Sequence, residues 1–267
     1  MQRSLRRITI IMGAALALVG AQAVLGAAAV LAGPPPPQPA HVYVDANTFT
    51  LVVTAEPNVA NGITVVTVGE DHVVTDDTLT PIAGHGCILV PIQGPPPDQI
   101  VCDGDLVKYL HVDLGDGNDL LGVRGTLVSL PTTLDGGPGD DIIEGGDGND
   151  IINGGPGSDT MYGWWGDDSF SGGTEIDTVS YGQMPFSVHA DADGVHGDDG
   201  TDWENDTIMP DVEHIVGGSG NDILAGNEAA NLLAGGPALT CSSATRVMTC
   251  CSARRVTTTS SAWTATR

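Results

Sequence analysis

Aspartate recurs every nine residues through the middle of this chain. In "GGPGDDIIEGGDGNDIINGGPGSDTMY", residues 136–162, three units run end to end, each with Gly-Gly first, Gly fourth, Asp sixth and an apolar residue eighth. Two more follow without a gap, "GWWGDDSFS" at 163–171 and "GGTEIDTVS" at 172–180, so one phase holds for forty-five residues. A partial copy, "LGDGNDLLG", stands at 114–122, and the pattern returns over 217–236 with "GGSGNDILA" and a degraded "GNEAANLLA" in which Asn231 replaces Asp. Carboxylates at fixed spacing, in loops rich in glycine carbonyls, are donors for a hard cation that takes six or more oxygens, a demand calcium meets with looser geometry than magnesium. No cluster of His and Cys offers a transition-metal alternative.

Such loops need elements to hold them. Read as six loop residues and three strand residues, one unit makes half a turn and two close a coil of eighteen. Glycines permit positive φ in the tight loop. The eighth residue, here Leu121, Ile143, Ile152, Met161, Phe170, Val179 and Leu224, points into a narrow interior. Loops i and i+2 then stack on one edge. Successive strands lie about 4.7–4.9 Å apart and calcium bonds oxygen at about 2.3–2.6 Å, so an ion between two loops reaches oxygens from both.

The units "GGPGDDIIE", "GGDGNDIIN", "GGPGSDTMY" and "GGSGNDILA" resemble the hemolysin-type calcium-binding repeats, also called RTX repeats, over 114–122, 136–180 and 217–236. That resemblance implies an all-β protein whose repeats form a parallel β-roll, a β-solenoid, with Ca2+ between its loops. It places ligand carboxylates at Asp119, Asp141, Asp150, Asp159, Asp168, Asp177 and Asp222. Loop glycines of the same sites are Gly136, Gly137 and Gly139; Gly145, Gly146 and Gly148; Gly154, Gly155 and Gly157; Gly166; and Gly217, Gly218 and Gly220. The i, i+2 rule pairs Asp141 with Asp159, Asp150 with Asp168, and Asp159 with Asp177, and leaves Asp119 and Asp222 without an in-phase partner. Trp164 and Trp165 enlarge the fourth loop, and Glu175 replaces a fourth-position glycine. The competing reading, aspartates that merely occupy turns, does not account for the constant phase.

All thirty-four acids lie between residues 34 and 239, where Lys108 and Arg124 are the basic residues, within a formal net charge of -25. This excludes nucleic acid as a partner and requires either disorder or neutralising cations. Residues 1–33 read as a signal peptide, with Arg3, Arg6 and Arg7 before an apolar run and "AQA" at 21–23; an uncleaved membrane anchor is the alternative. A Pro-rich linker, 34–40, follows. Short Val-, Ile- and Thr-rich runs make 41–113 a β-rich N-terminal domain in which no chemistry is visible. An oxidising compartment favours a disulfide between Cys87 and Cys102, two buried thiols being the alternative. Residues 181–216 form an acidic intervening segment that breaks the phase; its acidic run, 191–206, lacks EF-hand spacing and reads as a solvated loop, with an extra calcium site as the alternative.

From 237 onward the composition inverts. The tail carries no acid, four arginines and three cysteines, yet "TCSSATRVM", "TCCSARRVT" and "TTSSAWTAT" keep the nine-residue beat. Permitted codons for this stretch, read one base out of phase, restore Gly-Asp-Asp at period nine, so we read it as frame-shifted repeat sequence in which Cys241, Cys250 and Cys251 serve as neither metal nor redox ligands.

The sequence therefore supports a secreted, extracellular, non-enzymatic calcium-binding protein that folds as the ion binds. An adhesion module for a cell-surface or matrix component, with Trp164 and Trp165 as its patch, is the second reading; the non-catalytic part of a secreted hydrolase is the third. The chain contains neither H-E-x-x-H nor G-x-S-x-G.

Overall fold

Alternate nine-residue units feed alternate sheets, and that alternation builds the molecule. The computed structural model describes residues 40–55, 59–68, 71–77, 81–91, 98–125, 130–227, 231–235, 239–243, 249–252 and 256–257. Strands Ile142–Asp147, Thr160–Trp165 and Thr178–Ser180 lie in one sheet, and Thr132–Asp135, Ile151–Pro156 and Ser169–Thr174 in another. Within each sheet these three strands pair in parallel at an offset of eighteen residues: Ile143 sits beside Met161 and Met161 beside Val179, while Ile152 sits beside Phe170. Outward and inward positions alternate, so the eighth residues Leu121, Ile143, Ile152, Met161, Phe170, Val179 and Leu224 are all buried in one continuous core. The chain is an all-β parallel roll, with a single 3-10 turn at Gly104–Leu106 among the described residues.

The strand-rich stretch before the repeats joins the same sheets. Thr50–Thr54 pairs in parallel with Tyr109–Asp113, which pairs in parallel with Thr132–Asp135. Gly62–Val68 does the same with Leu120–Gly125, and that strand with Ile142–Asp147. Antiparallel neighbours cover the far end: His41–Asp45 on one sheet, and Asp71–Asp76, Gln99–Cys102 and Cys87–Val90 on the other. Cys87 and Cys102 stand directly opposite and form a disulfide.

Residues 181–216 are built into the roll, which overturns the solvated-loop reading of 191–206. Thr207–Ile208 extends one sheet beside Ser169–Thr174, and His214–Val216 extends the other beside Thr178–Ser180. Val188–Asp191 starts a third sheet with Gly200–Thr201 and Ile223–Ala225. Leu239–Ser243 pairs with Ile223–Ala225 so that Ile223 meets Cys241, again eighteen residues on.

The expected signal peptide, most of the Pro-rich linker and most of the tail lie outside the described residues. Among those described, no helix is long and apolar enough to cross a membrane.

Candidate metal centre

Each sixth-position aspartate turns inward from its loop and bridges to the coil before it. On one edge, Asp141 Oδ1 accepts from the Asp119 amide at 2.7 Å, Asp159 Oδ1 from the Asp141 amide at 2.9 Å, and Asp177 Oδ1 from the Asp159 amide at 2.9 Å. On the other, Asp150 Oδ1 accepts from the Thr132 amide at 3.1 Å and Asp168 Oδ1 from the Asp150 amide at 2.9 Å. The three pairs expected from the i, i+2 rule are thus stacked. Asp119 corrects the expectation of isolation: it donates to Asp141 across 22 residues, and its own Oδ1 accepts from Asn61 at 2.5 Å. Four extra residues between these coils are absorbed without loss of register. Asp222 Oδ1 accepts from the Val188 amide at 3.1 Å.

One oxygen of each carboxylate is therefore committed to the ladder, and the other is the group that matters for a cation. Oδ2 of Asp119, Asp141, Asp150, Asp159 and Asp177 is buried without a hydrogen-bond partner, a costly state for an anion. Burial pushes Asp141, Asp150 and Asp177 up to about 7, and Asp119 and Asp159 in the same direction. Asp168 rises to about 9, first through burial and then through the charges of Asp206 and Asp150. A cation beside these oxygens reverses that penalty.

The glycines keep the space open. A Cβ on Gly136 would fall 2.6 Å from Asp141 Oδ2 and 2.5 Å from the Gly154 carbonyl, so the first position faces an oxygen-lined gap that only glycine leaves free. Gly145, Gly154 and Gly217 abut Asp150, Asp159 and Asp222 in the same way. At the fourth position Gly139, Gly148, Gly157 and Gly166 have φ between +136° and +152°, and at the second Gly137, Gly146 and Gly155 lie between +94° and +112°. Gly218 and Gly220 instead pack against backbone of 184–187 outside the positive-φ region, so the 217–225 loop departs from the others. Trp164 at φ +76° and the exposed Glu175 at φ +90° occupy glycine conformations with side chains present.

No three His, Cys, Asp or Glu side chains among the described residues converge on one point. An ion between these loops must take most of its oxygens from main-chain carbonyls, with one carboxylate per coil. That donor set is all oxygen and irregular, which fits calcium.

Two members of the ladders were not legible as repeats. Asp206 Oδ1 accepts from the Asp168 amide at 2.9 Å, and Glu213 Oε2 from the Asp177 amide at 3.1 Å, so both edges continue through the segment where the phase breaks. An outer ladder confirms the alignment: Asp167 accepts from the Asn205 amide at 2.8 Å, as Asn149 does from Asp167 at 3.2 Å. Residues 201–209, "TDWENDTIM", thus form a coil without the diagnostic glycines, whose remaining signal is Asn-Asp-Thr-Ile in positions five to eight.

Trp165 does not stand alone on the surface. Its ring meets Phe186 edge-on at 5.8 Å, and Phe186 meets Trp203 at 4.7 Å, which fastens the intervening segment to the fourth loop.

Comparison with known proteins agrees with this geometry. The family model for the RTX calcium-binding nonapeptide repeat (four copies) matches residues 132–161, 145–179 and 210–237. A search of curated proteins returned no significant match.

Proposed function

We propose that this chain, whose repeats match the RTX calcium-binding nonapeptide model, is a secreted protein whose roll assembles when it meets calcium outside the cell. The observation that carries this reading is the row of buried, unpartnered Oδ2 atoms at Asp119, Asp141, Asp150, Asp159 and Asp177. Without a cation, the coils can stack only by burying charge or by protonating it. With one, binding free energy becomes folding free energy. Asp141, Asp159 and Asp177 then hold ions along one edge and Asp150 and Asp168 along the other, with loop-glycine carbonyls completing the shells. Extracellular calcium modules work near 10⁻⁴–10⁻³ M, so the roll stays open where calcium is scarce.

Secretion is supported by the basic, apolar, small-residue order of residues 1–33 and by the Cys87–Cys102 disulfide. The protein acts as a binding and structural module, not an enzyme, with calcium as its ligand. Far-UV circular dichroism of the chain during a calcium titration, with magnesium as control, tests the reading. A calcium-selective rise in β signal that chelator reverses supports it; an unchanged β spectrum across the titration overturns it.

A further inference from the structure

The two tryptophans of the fourth unit part company. Trp165 packs against Phe186, whereas Trp164 meets no other ring among the described residues. Trp164 also stands at the second position, where the preceding units have Gly137, Gly146 and Gly155, and it keeps a positive φ of +76°. A Cβ in that region costs about 1 kcal/mol, so the roll carries a large side chain where glycine would wind the same loop without strain. Strain held at one position directs attention to what its side chain does.

Trp164 lines an open cleft of about 410 Å³, together with Val123, Arg124, Glu144, Gly146 and Asp147. That volume falls within the range of small-molecule sites, about 300–1,000 Å³. Gly146 and Trp164 are neighbours across adjacent parallel strands, and the bare glycine leaves the space beside the indole open. Arg124 passes over Gly122, where a Cβ would lie 3.4 Å from its Nε, and its Nη2 donates to Glu144 Oε2 at 2.9 Å. The arginine side chain is still 67% exposed, and Asp147 is exposed as well. An ion pair so open to water adds little stability, while its guanidinium keeps further donors in solvent.

This mixture of groups selects one ligand chemistry. An anion would meet Glu144 and Asp147 in a chain of formal net charge -25, and a cation would meet Arg124. An uncharged ring bearing several hydroxyls suits every group at once. Its C–H face packs on the indole, and adjacent hydroxyls accept from the guanidinium and donate to the carboxylates. We propose that the cleft binds an uncharged pyranose unit of a glycan, with Trp164 as the stacking platform, Arg124 as donor, and Glu144 and Asp147 as acceptors. None of these four side chains belongs to an aspartate ladder, so the inference goes beyond the calcium reading and requires only the wound roll.

Saturation-transfer NMR and calorimetry of the calcium-saturated full chain test it, with neutral tetrasaccharides of glucose, galactose, mannose and N-acetylglucosamine as probes and a sialylated oligosaccharide as the anionic control. At least one neutral probe is expected to bind. Trp164→Gly should weaken that binding about tenfold while raising the denaturant midpoint, a combination that a packing role does not produce. Arg124→Gln should weaken it by a similar factor and leave the melting temperature nearly unchanged. Binding of no neutral probe, tighter binding of the anionic control, or full affinity in Trp164→Gly would each overturn the proposal, and none of these results bears on whether the repeats hold calcium.

Discussion

Replacing Asp150 and Asp168 together by asparagine should stabilise the ion-free roll and blunt its response to calcium. Both side chains are at most 2% exposed, and asparagine keeps an oxygen for the Thr132 and Asp150 amides that the carboxylates now hold. In the ion-free fold burial raises Asp150 from 3.8 to about 7 and, with the charges of Asp206 and Asp150 added, Asp168 to about 9. At pH 7.5 Asp150 ionises in place at a cost of about 4 kcal/mol, while Asp168 stays protonated and its cost, set by the pH itself, is about 5 kcal/mol. These are upper limits, since the two charges interact, but their sum is comparable with the whole stability of a typical domain, about 5–15 kcal/mol. If only a third of it is realised, the double variant gains about 3 kcal/mol in chelator, a rise of roughly 10 °C in melting temperature. Thermal melts followed by circular dichroism, with and without calcium, measure both quantities. A double variant that melts at or below the wild type in chelator would refute the reasoning, because the buried carboxylates would then not be what holds the ion-free roll open. The chain already contains one such exchange: Asn231 is buried, its Oδ1 accepting from the Asn227 amide and its Nδ2 donating to the Asn227 carbonyl.

Acid should imitate calcium. The raised carboxyls contribute stability that is complete below their unfolded value near 3.8 and lost as pH rises through about 7 and then 9, so a chelated sample taken from pH 8 to pH 5 gains β signal, and a loss on acidification would contradict the sign. Trp164→Gly and Glu175→Gly relieve positive φ at +76° and +90° and should each raise stability by about 1 kcal/mol, read as denaturant midpoints; no gain at either would show that the loop is shaped by something other than glycine geometry. Reducing Cys87–Cys102, which closes a loop of 15 residues, should cost roughly 3 kcal/mol and leave the calcium midpoint in place, because the pair lies at the end of the sheet away from the aspartate ladders; a shifted midpoint would disprove that independence.

How far the sequence reaches follows from what each position must do. Asp141, Asp150, Asp159, Asp168 and Asp177 are legible because period nine converts directly into an eighteen-residue coil, and the inward eighth residue follows from strand alternation. Their inward rotation is not legible: the sequence puts a ligand in a loop, whereas the fold uses Oδ1 as a main-chain bridge and leaves only Oδ2 for an ion. The pairing of Asp119 with Asp141, and Asp206 and Glu213 altogether, escape detection because a ladder tolerates 22, 38 or 36 residues between rungs when the excess loops out. Thr201–Met209 escapes for a second reason. Glycine is required where the backbone takes positive φ or another coil comes close, and a coil that meets neither demand keeps only its acceptor and its apolar anchor. The strands of 41–113 were visible as strands, but their parallel docking on Tyr109–Asp113 and Leu120–Gly125 depends on contacts no local pattern encodes.

The bridge from each aspartate runs in one direction, and this gives the roll a growing end. In every rung of the sixth-position ladders the amide belongs to the earlier coil and the carboxylate to the later one, as Asp141 to Asp159 and Asp159 to Asp177 illustrate. Along the inner ladders a partly wound stub therefore presents waiting amides, while its fifth-position side chains present waiting acceptors, as Asp140 does to the Ser158 amide and Asp167 to the Asn205 amide. A chain that emerges N-terminus first meets this template in order: every new coil supplies the acceptor that locks the coil before it and a fresh amide for its successor. Winding becomes a one-way ratchet, seeded at Asn61 and clicked forward one rung at a time.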